Sequence, residues 1–477
     1  MASDDLDQPV ATGADDAPAP AQASKSHDDE NRLKHEFVRQ VRDALEAGET
    51  DTVYDLVEPL HPADIADLFE LTEQEDRRPL AKAISDLMGP EVIAELNDHV
   101  REQLIEDLPA GMIADIAEQL DTDDAVAMIE DLDEADQQAV LAEMEPEDRA
   151  AIETALSYPE ESAGRLMSRD FIAVPEHLTV GDLIDLLREN RELPTDFWEV
   201  FIVDPAHRPI GTCALSWILR SPRQVALGDV MKRDQTLLPV TMDQEEVALR
   251  FQKYALISAA VVDEAGRLVG QITADDVVHI IQEEAGEDVL LLSGAGDGDI
   301  NEPIAMTVRT RLIWLVVNLG TASIAASVVG LFEGAIAKFA LLAVLMPIVS
   351  GMGGNAGTQT LAVTVRALAT NQLTSTNTWR MFLREFTIAG ANGLALGLLI
   401  GSGVAVMFGN PLLGIVIASA MLINTLVAGC AGILVPLSLE RLRVDPAVSS
   451  AVFVTMATDV MGFFSFLGLA VLSGLAG

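Results

Sequence analysis

The chain has 477 residues, too many for one hydrophobic core, and it pairs a positive mean hydropathy of +0.27 with a formal net charge of −45. The two values are compatible only in a divided chain. Residues 301–477 hold eight basic and six acidic side chains, leaving 22 basic and 69 acidic for residues 1–300, so the first part carries −47 and the second +2. A surface this acidic excludes nucleic acid and anionic lipid as partners of the first part and attracts cations, although acidity alone also serves solubility or salt adaptation.

Residues 1–30 are acidic and rich in Ala and Pro, without the apolar core of a signal peptide, and read as a disordered tail. From residue 31 to 163 the pattern is one of short helices. Leu96, Leu108, Leu120, Leu132 and Met144 recur every twelve residues, and acidic turns follow the last three. Asp or Thr in those turns can cap the next helix, and the fixed period predicts a small helical solenoid. From 164 to 276 short β-rich runs alternate with helical ones, and the segment repeats itself. Leu166-Met-Ser-Arg-Asp returns as Val230-Met-Lys-Arg-Asp, and Val203-Asp-Pro-Ala-His-Arg-Pro-Ile-Gly returns as Val262-Asp-Glu-Ala-Gly-Arg-Leu-Val-Gly. This tandem α+β segment resembles a pair of CBS domains. The resemblance implies a regulatory cleft for an adenine nucleotide such as ATP, or for a metal, with Thr273 and Asp276 as the candidates to meet the ribose.

Residues 277–300 continue as a helix and linker. Glu283 and Glu287, and Glu284 and Asp288, stand four apart and share helix faces, where like charges repel unless a divalent cation sits between them. Two cysteines, one in the soluble part (Cys213) and one in an apolar run (Cys430), exclude a disulfide framework. Seven histidines, all before residue 280 and without CxxC or HExxH spacing, argue against structural zinc. No nucleophile–base pair or phosphate loop points to an enzyme.

Residues 301–477 predict five membrane spans: 312–332, 339–365, two within the 54 uncharged residues 386–439 split at Phe408-Gly-Asn-Pro411, and 446–477. Arg366, Arg380, Arg384, Arg441 and Arg443 fall on one side, which places the N-terminal part in the cytoplasm and the C-terminus outside. Asp459 is the only charged residue of the last span. A carboxylate at that depth costs several kcal/mol and marks an ion or proton route. Thr455 lies one turn before it. The second span carries Pro347-Ile-Val-Ser-Gly-Met-Gly-Gly-Asn-Ala-Gly-Thr-Gln-Thr360, and its proline and glycines predict a broken helix whose free carbonyls, with Asn355, Thr358 and Gln359, could hold a cation. Gly393, Gly397 and Gly401 predict a close-packing face. Asn392 and Asn424 read equally as interhelical hydrogen bonds and as ligands.

The second-span motif, Ala457-Thr-Asp-Val-Met-Gly-Phe-Phe in the fifth span, and the order of segments resemble the MgtE family of magnesium channels. The resemblance implies a homodimer in the plasma membrane that transports Mg2+, with Asp459 as pore carboxylate and Asn355 as a candidate pore-lining partner. It implies a magnesium-sensing N-terminal domain and a plug helix in 277–300, with Asp276, Glu284, Glu287 and Asp288 at acidic sensor positions. His279 stands where another carboxylate is expected. An ion-coupled divalent cation carrier is the nearest alternative, and a membrane-anchored CBS sensor without transport the alternative of another class.

Overall fold

The computed structural model describes residues 26–28, 32–106, 108–191, 193, 194, 197–295, 298, 300–374, 376–448 and 450–475, the side chain of Asp288 apart. The chain folds into two compact units. One comprises residues 1–247 and 255–276, the other 248–254 and 277–477.

Among the described residues, the first unit begins with ten short α-helices: α1 (His35–Glu46), α2 (Thr50–Val57), α3 (Pro62–Glu70), α4 (Gln74–Ala83), α5 (Pro90–Ala94), α6 (Asp98–Ile105), α7 (Ala110–Ala117), α8 (Thr122–Glu130), α9 (Glu134–Glu143) and α10 (Pro146–Leu156). The twelve-residue period is visible in them. Leu96, Leu108, Leu120, Leu132 and Met144 each lie one to three residues past the end of α5 to α9. There Leu132 and Met144 close the second of two apolar cores, with Leu108 and Leu120 packed against it, while Leu96 belongs to the first. Of the acidic turns, Asp133 caps α9 by accepting from the N–H groups of Ala135 and Asp136, whereas Asp121 and Glu145 make no side-chain cap. The caps expected at all three turns therefore form at one. Arg101 clamps two turns together: buried on α6, it donates to Asp98 Oδ1 at 2.6 Å and to Asp131 Oδ2 at 2.5 Å.

The same unit continues into two three-stranded sheets with one topology. Strands β1 (Ala173–Pro175) and β2 (Glu199–Val203) pair parallel, and β3 (Pro209–Ala214) pairs antiparallel to β2. Strands β4 (Leu237–Pro239), β5 (Ser258–Val262) and β6 (Leu268–Thr273) repeat that order. Helices α11 (Val180–Glu189), α12 (Leu215–Arg220), α13 (Leu227–Val230) and α14 (Gln244–Tyr254) intervene. The sequence repeats account for the likeness. Asp204 and Asp263 each accept from the N–H groups two and four residues on, turning hairpins in which His207 and Gly266 adopt positive φ. The two repeats also exchange segments. Ser168 bridges to Gln271 of β6, and Lys232 bridges to Thr212 of β3. A Cβ on Gly270 would lie 2.7 Å from Met167 Sδ, and one on Gly211 2.7 Å from Met231 Sδ. The two repeats thus exchange segments symmetrically, as expected of the CBS pair that the sequence resembles.

Helix α15 (Ala274–Ser293) leads to the second unit, whose long helices are α16 (Ile304–Gly330), α18 (Leu341–Ala369), α19 (Thr378–Met407), α20 (Pro411–Arg441) and α21 (Ser450–Leu472), with the short α17 (Glu333–Lys338) between the first two. All five long helices are long and apolar enough to cross a membrane. Helices α19 and α20 form a hairpin closed by glycine. A Cβ on Gly393, Gly397 or Gly401 would lie 2.0 Å from Thr425 Oγ1, 2.8 Å from the Ala418 carbonyl or 2.6 Å from the Gly414 carbonyl. Helix α16 is exposed along most of its length, with Ala325 its buried residue.

The second span is not broken. Helix α18 runs through Pro347 and all its glycines. Pro347 stands near the helix start, so its missing N–H releases only the carbonyl of Ala343. Two of the glycines serve packing. A Cβ on Gly353 would strike the Asn424 amide at 2.0 Å, and one on Gly357 would strike Val454 Cγ1 at 2.6 Å. Small residues let membrane helices approach closely, and neighbours absorb the cost of proline. The freed carbonyls expected as cation ligands are absent from this stretch.

Candidate cation pathway and acidic sensor

Asp459 stands halfway along α21 and is half-buried against α18, where the Ser350 hydroxyl donates to its Oδ1. Ser350 is the fourth residue of the proline–glycine motif. One oxygen of Asp459 is thereby oriented by a neutral donor, and no cation of the chain neutralises it among the described ion pairs. Thr455, one turn earlier, is half-buried, and its carbonyl accepts from the buried Thr458 hydroxyl at 2.9 Å.

Helix α18 has two faces. Leu342, Leu345, Met346, Val349, Gly353, Gly357, Leu361 and Thr364 are buried. Gly351, Asn355, Thr358 and Gln359 are exposed and form a polar face on a membrane-spanning helix. Ser350 lies at the border of the two. Asn355 sits about 140° round the helix from Ser350, so the structure does not bring it against Asp459 within one chain; its carbonyl accepts from Thr358 Oγ1 at 3.1 Å. Asn424 resolves as an interhelical hydrogen bond, its Nδ2 donating to the Val349 carbonyl at 2.9 Å. Ser350 was missed by sequence reasoning, because a serine between apolar residues carries no signal until its partner is known.

The sensor candidates fall on α15. Asp276 accepts from both the N–H and the hydroxyl of Thr273, at 3.1 and 2.7 Å, so both proposed ribose-binding side chains engage each other at the start of the helix. His279, Glu283 and Glu287 are exposed and Glu284 is half-buried, while the side chain of Asp288 lies outside the described residues. Leu291 and Leu292, at the end of α15, pack in one cluster with Leu361 and Val365 near the end of α18, Ala447 just before α21 and Val454 near its start. Among the described residues, no three His, Cys, Asp or Glu side chains are gathered as a ready metal site.

A second carboxylate cluster joins the helical part of the first unit to the CBS pair. Burial, with the charge of Asp170 next in weight, pushes Asp121 up to about 6, and the two carboxyls share a hydrogen bond. Burial, then the charges of Asp276 and Asp124, push Asp123 well above the usual carboxylate range. Its Oδ1 is buried without a hydrogen-bond partner. Asp170 ends the first Leu-Met-Ser-Arg-Asp repeat, and Asp276 is the sensor candidate. Of the turn residues read from sequence as caps, Asp121 and Asp123 are therefore crowded acids, whereas Asp133 caps. Glu130, raised chiefly by burial and pulled down by Arg165, pairs with that arginine at 2.6 Å across the same junction.

Residues 346–469 match the family MgtE, described as divalent cation transporters; residues 60–161 match its intracellular N domain, and 163–214 and 227–283 match the CBS domain. The magnesium transporter MgtE of Bacillus subtilis (strain 168) is 28% identical over 443 residues, covering 92% of this chain and 98% of that protein. The magnesium transporter MgtE of Enterococcus faecalis (strain ATCC 700802 / V583) is 30% identical over 319 residues, covering 67% and 70%. A crystal structure of the cytosolic domain of the Mg2+ channel MgtE in complex with ATP covers 51% of this chain and 99% of its own, at 27% identity and a TM-score of 0.47. With intracellular domain, CBS pair and transporter domain in the family's order, the chain belongs to the MgtE family of divalent cation transporters.

Proposed function

We propose that the chain transports Mg2+ across the plasma membrane as a homodimer, through a pathway lined by α18 and α21 of both copies. The observation that carries this reading is Asp459, an acid in the middle of an apolar span whose carboxylate is held by Ser350 and, among the described ion pairs, meets no Lys or Arg. The exposed polar face of α18, with Asn355, Thr358 and Gln359, suits water or a second copy and not lipid tails. Two such carboxylates hold a hydrated Mg2+ through its water shell. This ion dehydrates reluctantly, so its charge is attracted while its shell is kept. Thr455 contributes its neutral oxygens one turn along.

The acidic first part supplies the gate. At low cytosolic Mg2+ the carboxylates Asp121, Asp123, Asp170 and Asp276, with Glu284, Glu287 and Asp288 on α15, repel one another and the assembly loosens. At high Mg2+ ions bridge them, the compact state is favoured, and α15 closes the pathway as a plug. A ligand shifts such an equilibrium only through its preference for one state. The CBS cleft at Thr273 and Asp276 is where a nucleotide such as ATP would add to that control. The N-terminal part is cytoplasmic and the C-terminus outside, as the arginines between spans favour. An ion-coupled divalent cation carrier is the neighbouring reading, and a helix continuous through Pro347 suits either mechanism.

Proteoliposomes holding the full chain and a trapped Mg2+ indicator test the reading. Uptake is expected at micromolar Mg2+ on the face of the N-terminal part and near silence at tens of millimolar. Uptake unchanged by Mg2+ on that face contradicts the gate. No uptake at either level contradicts transport of Mg2+.

A further inference from the structure

Asn424 of α20 is 1% exposed, set among Ala420, Met421, Ala428 and Val349, all buried. Its Nδ2 donates to the Val349 carbonyl and its Oδ1 is buried without a partner. The space around it is cut to the amide. A Cβ on Gly353 of α18 would lie 2.0 Å from Nδ2, and one on Gly462 of α21 would lie 2.8 Å from it. Three helices thus meet on one side chain.

Packing alone does not select an amide here. Leucine has nearly the same shape, and a buried amide with an idle oxygen is costlier than a methyl pair in an apolar site. Nor does α18 need the bond, since Val349 lies inside a continuous helix and its carbonyl already has a helical partner. The bond instead fixes where α18 stands, in rotation and along its axis. The residue after Val349 is Ser350, which holds Asp459. Gly462 is three residues after Asp459, on the adjoining turn of α21. Asn424 therefore touches both sides of the Ser350–Asp459 hydrogen bond, one through a peptide group and one through a glycine.

We propose that Asn424 is a positioning residue of the cation pathway: its amide sets the register of α18 against α21, so that Ser350 presents the Asp459 carboxylate to the ion. This rests on Asp459 being the pathway carboxylate.

Mg2+ uptake into proteoliposomes, measured across Mg2+ concentrations and against Ca2+, tests it with four proteins: wild type, Asp459→Asn, Asn424→Leu, and Gly353→Ala combined with Asn424→Ala. The paired variant refills the vacated space with a methyl and lacks the amide. Asn424→Leu is expected to fold and to raise the half-saturating Mg2+ concentration roughly two- to tenfold, the equivalent of one hydrogen bond, while weakening the preference for Mg2+ over Ca2+. The paired variant is expected to show the same shift, and it carries the test if Asn424→Leu does not fold. A merely structural residue would lower maximal uptake with folded yield and leave half-saturation and preference unchanged, which overturns the proposal. Undiminished uptake by Asp459→Asn overturns the pathway reading beneath it. Loss in Asp459→Asn beside wild-type half-saturation and preference in the amide-free variants overturns the positioning role alone.

Discussion

At the scale of single residues, acids in this chain divide by what neighbours do to them. Asp263 and Asp182 accept backbone and side-chain hydrogen bonds and are held below the usual range. Asp121 and Asp123 are crowded by burial and by other carboxylates and are pushed up. That difference gives a pH dependence. Because their folded-state pKa values lie above those of the unfolded chain, Asp121 and Asp123 bind protons more tightly when folded. Their contribution to stability is full below about 4 and is lost as pH rises through about 6 for Asp121. In chelator, limited proteolysis at the junction between the helical part and the CBS pair is expected to be slower at pH 5.5 than at pH 7.5. Millimolar Mg2+, competing with protons for the same oxygens, is expected to protect at pH 7.5 and to add little at pH 5.5. Equal protection by Mg2+ at both pH values would count against these acids as the sensor.

At the scale of elements, the sequence patterns read most clearly were those with a fixed period. The twelve-residue recurrence of Leu96 to Met144 marks the helix ends of the first unit, and the returning hairpin of Val203 and Val262 marks the two sheets. Reading failed where one residue type serves two ends. Pro347 and the glycines after it look like a break but pack a continuous helix, because the side chains that need the space, Asn424 and Val454, come from helices remote in sequence. Ser350 was silent for the same reason. Asp121 looked like a cap, and its crowding by Asp170 depends on a fold that no local pattern reports. The Arg101 clamp belongs here too. Arg101→Ala leaves Asp131 half-buried and unpaired, and is expected to destabilise the first unit by about 3 kcal/mol, the low end for breaking a buried pair. Replacing both, Arg101→Met with Asp131→Leu, is expected to recover most of the loss. The first thermal transition of the full chain in detergent reads both.

At the scale of the whole molecule, the charge is divided between the two parts of the chain. The −47 of residues 1–300 gathers cations, and the membrane part is near neutral, with Asp459 as the acid of its last span. Family membership accounts for this order of parts, and the geometry adds how the acid is held: by Ser350, itself set by Asn424. The most direct measurement of the central claim is Mg2+ uptake into proteoliposomes by wild type and by Asp459→Asn at equal folded protein, since the amide keeps the shape and removes the charge. The account predicts that Asp459→Asn loses most of its uptake. Uptake equal to wild type would contradict it.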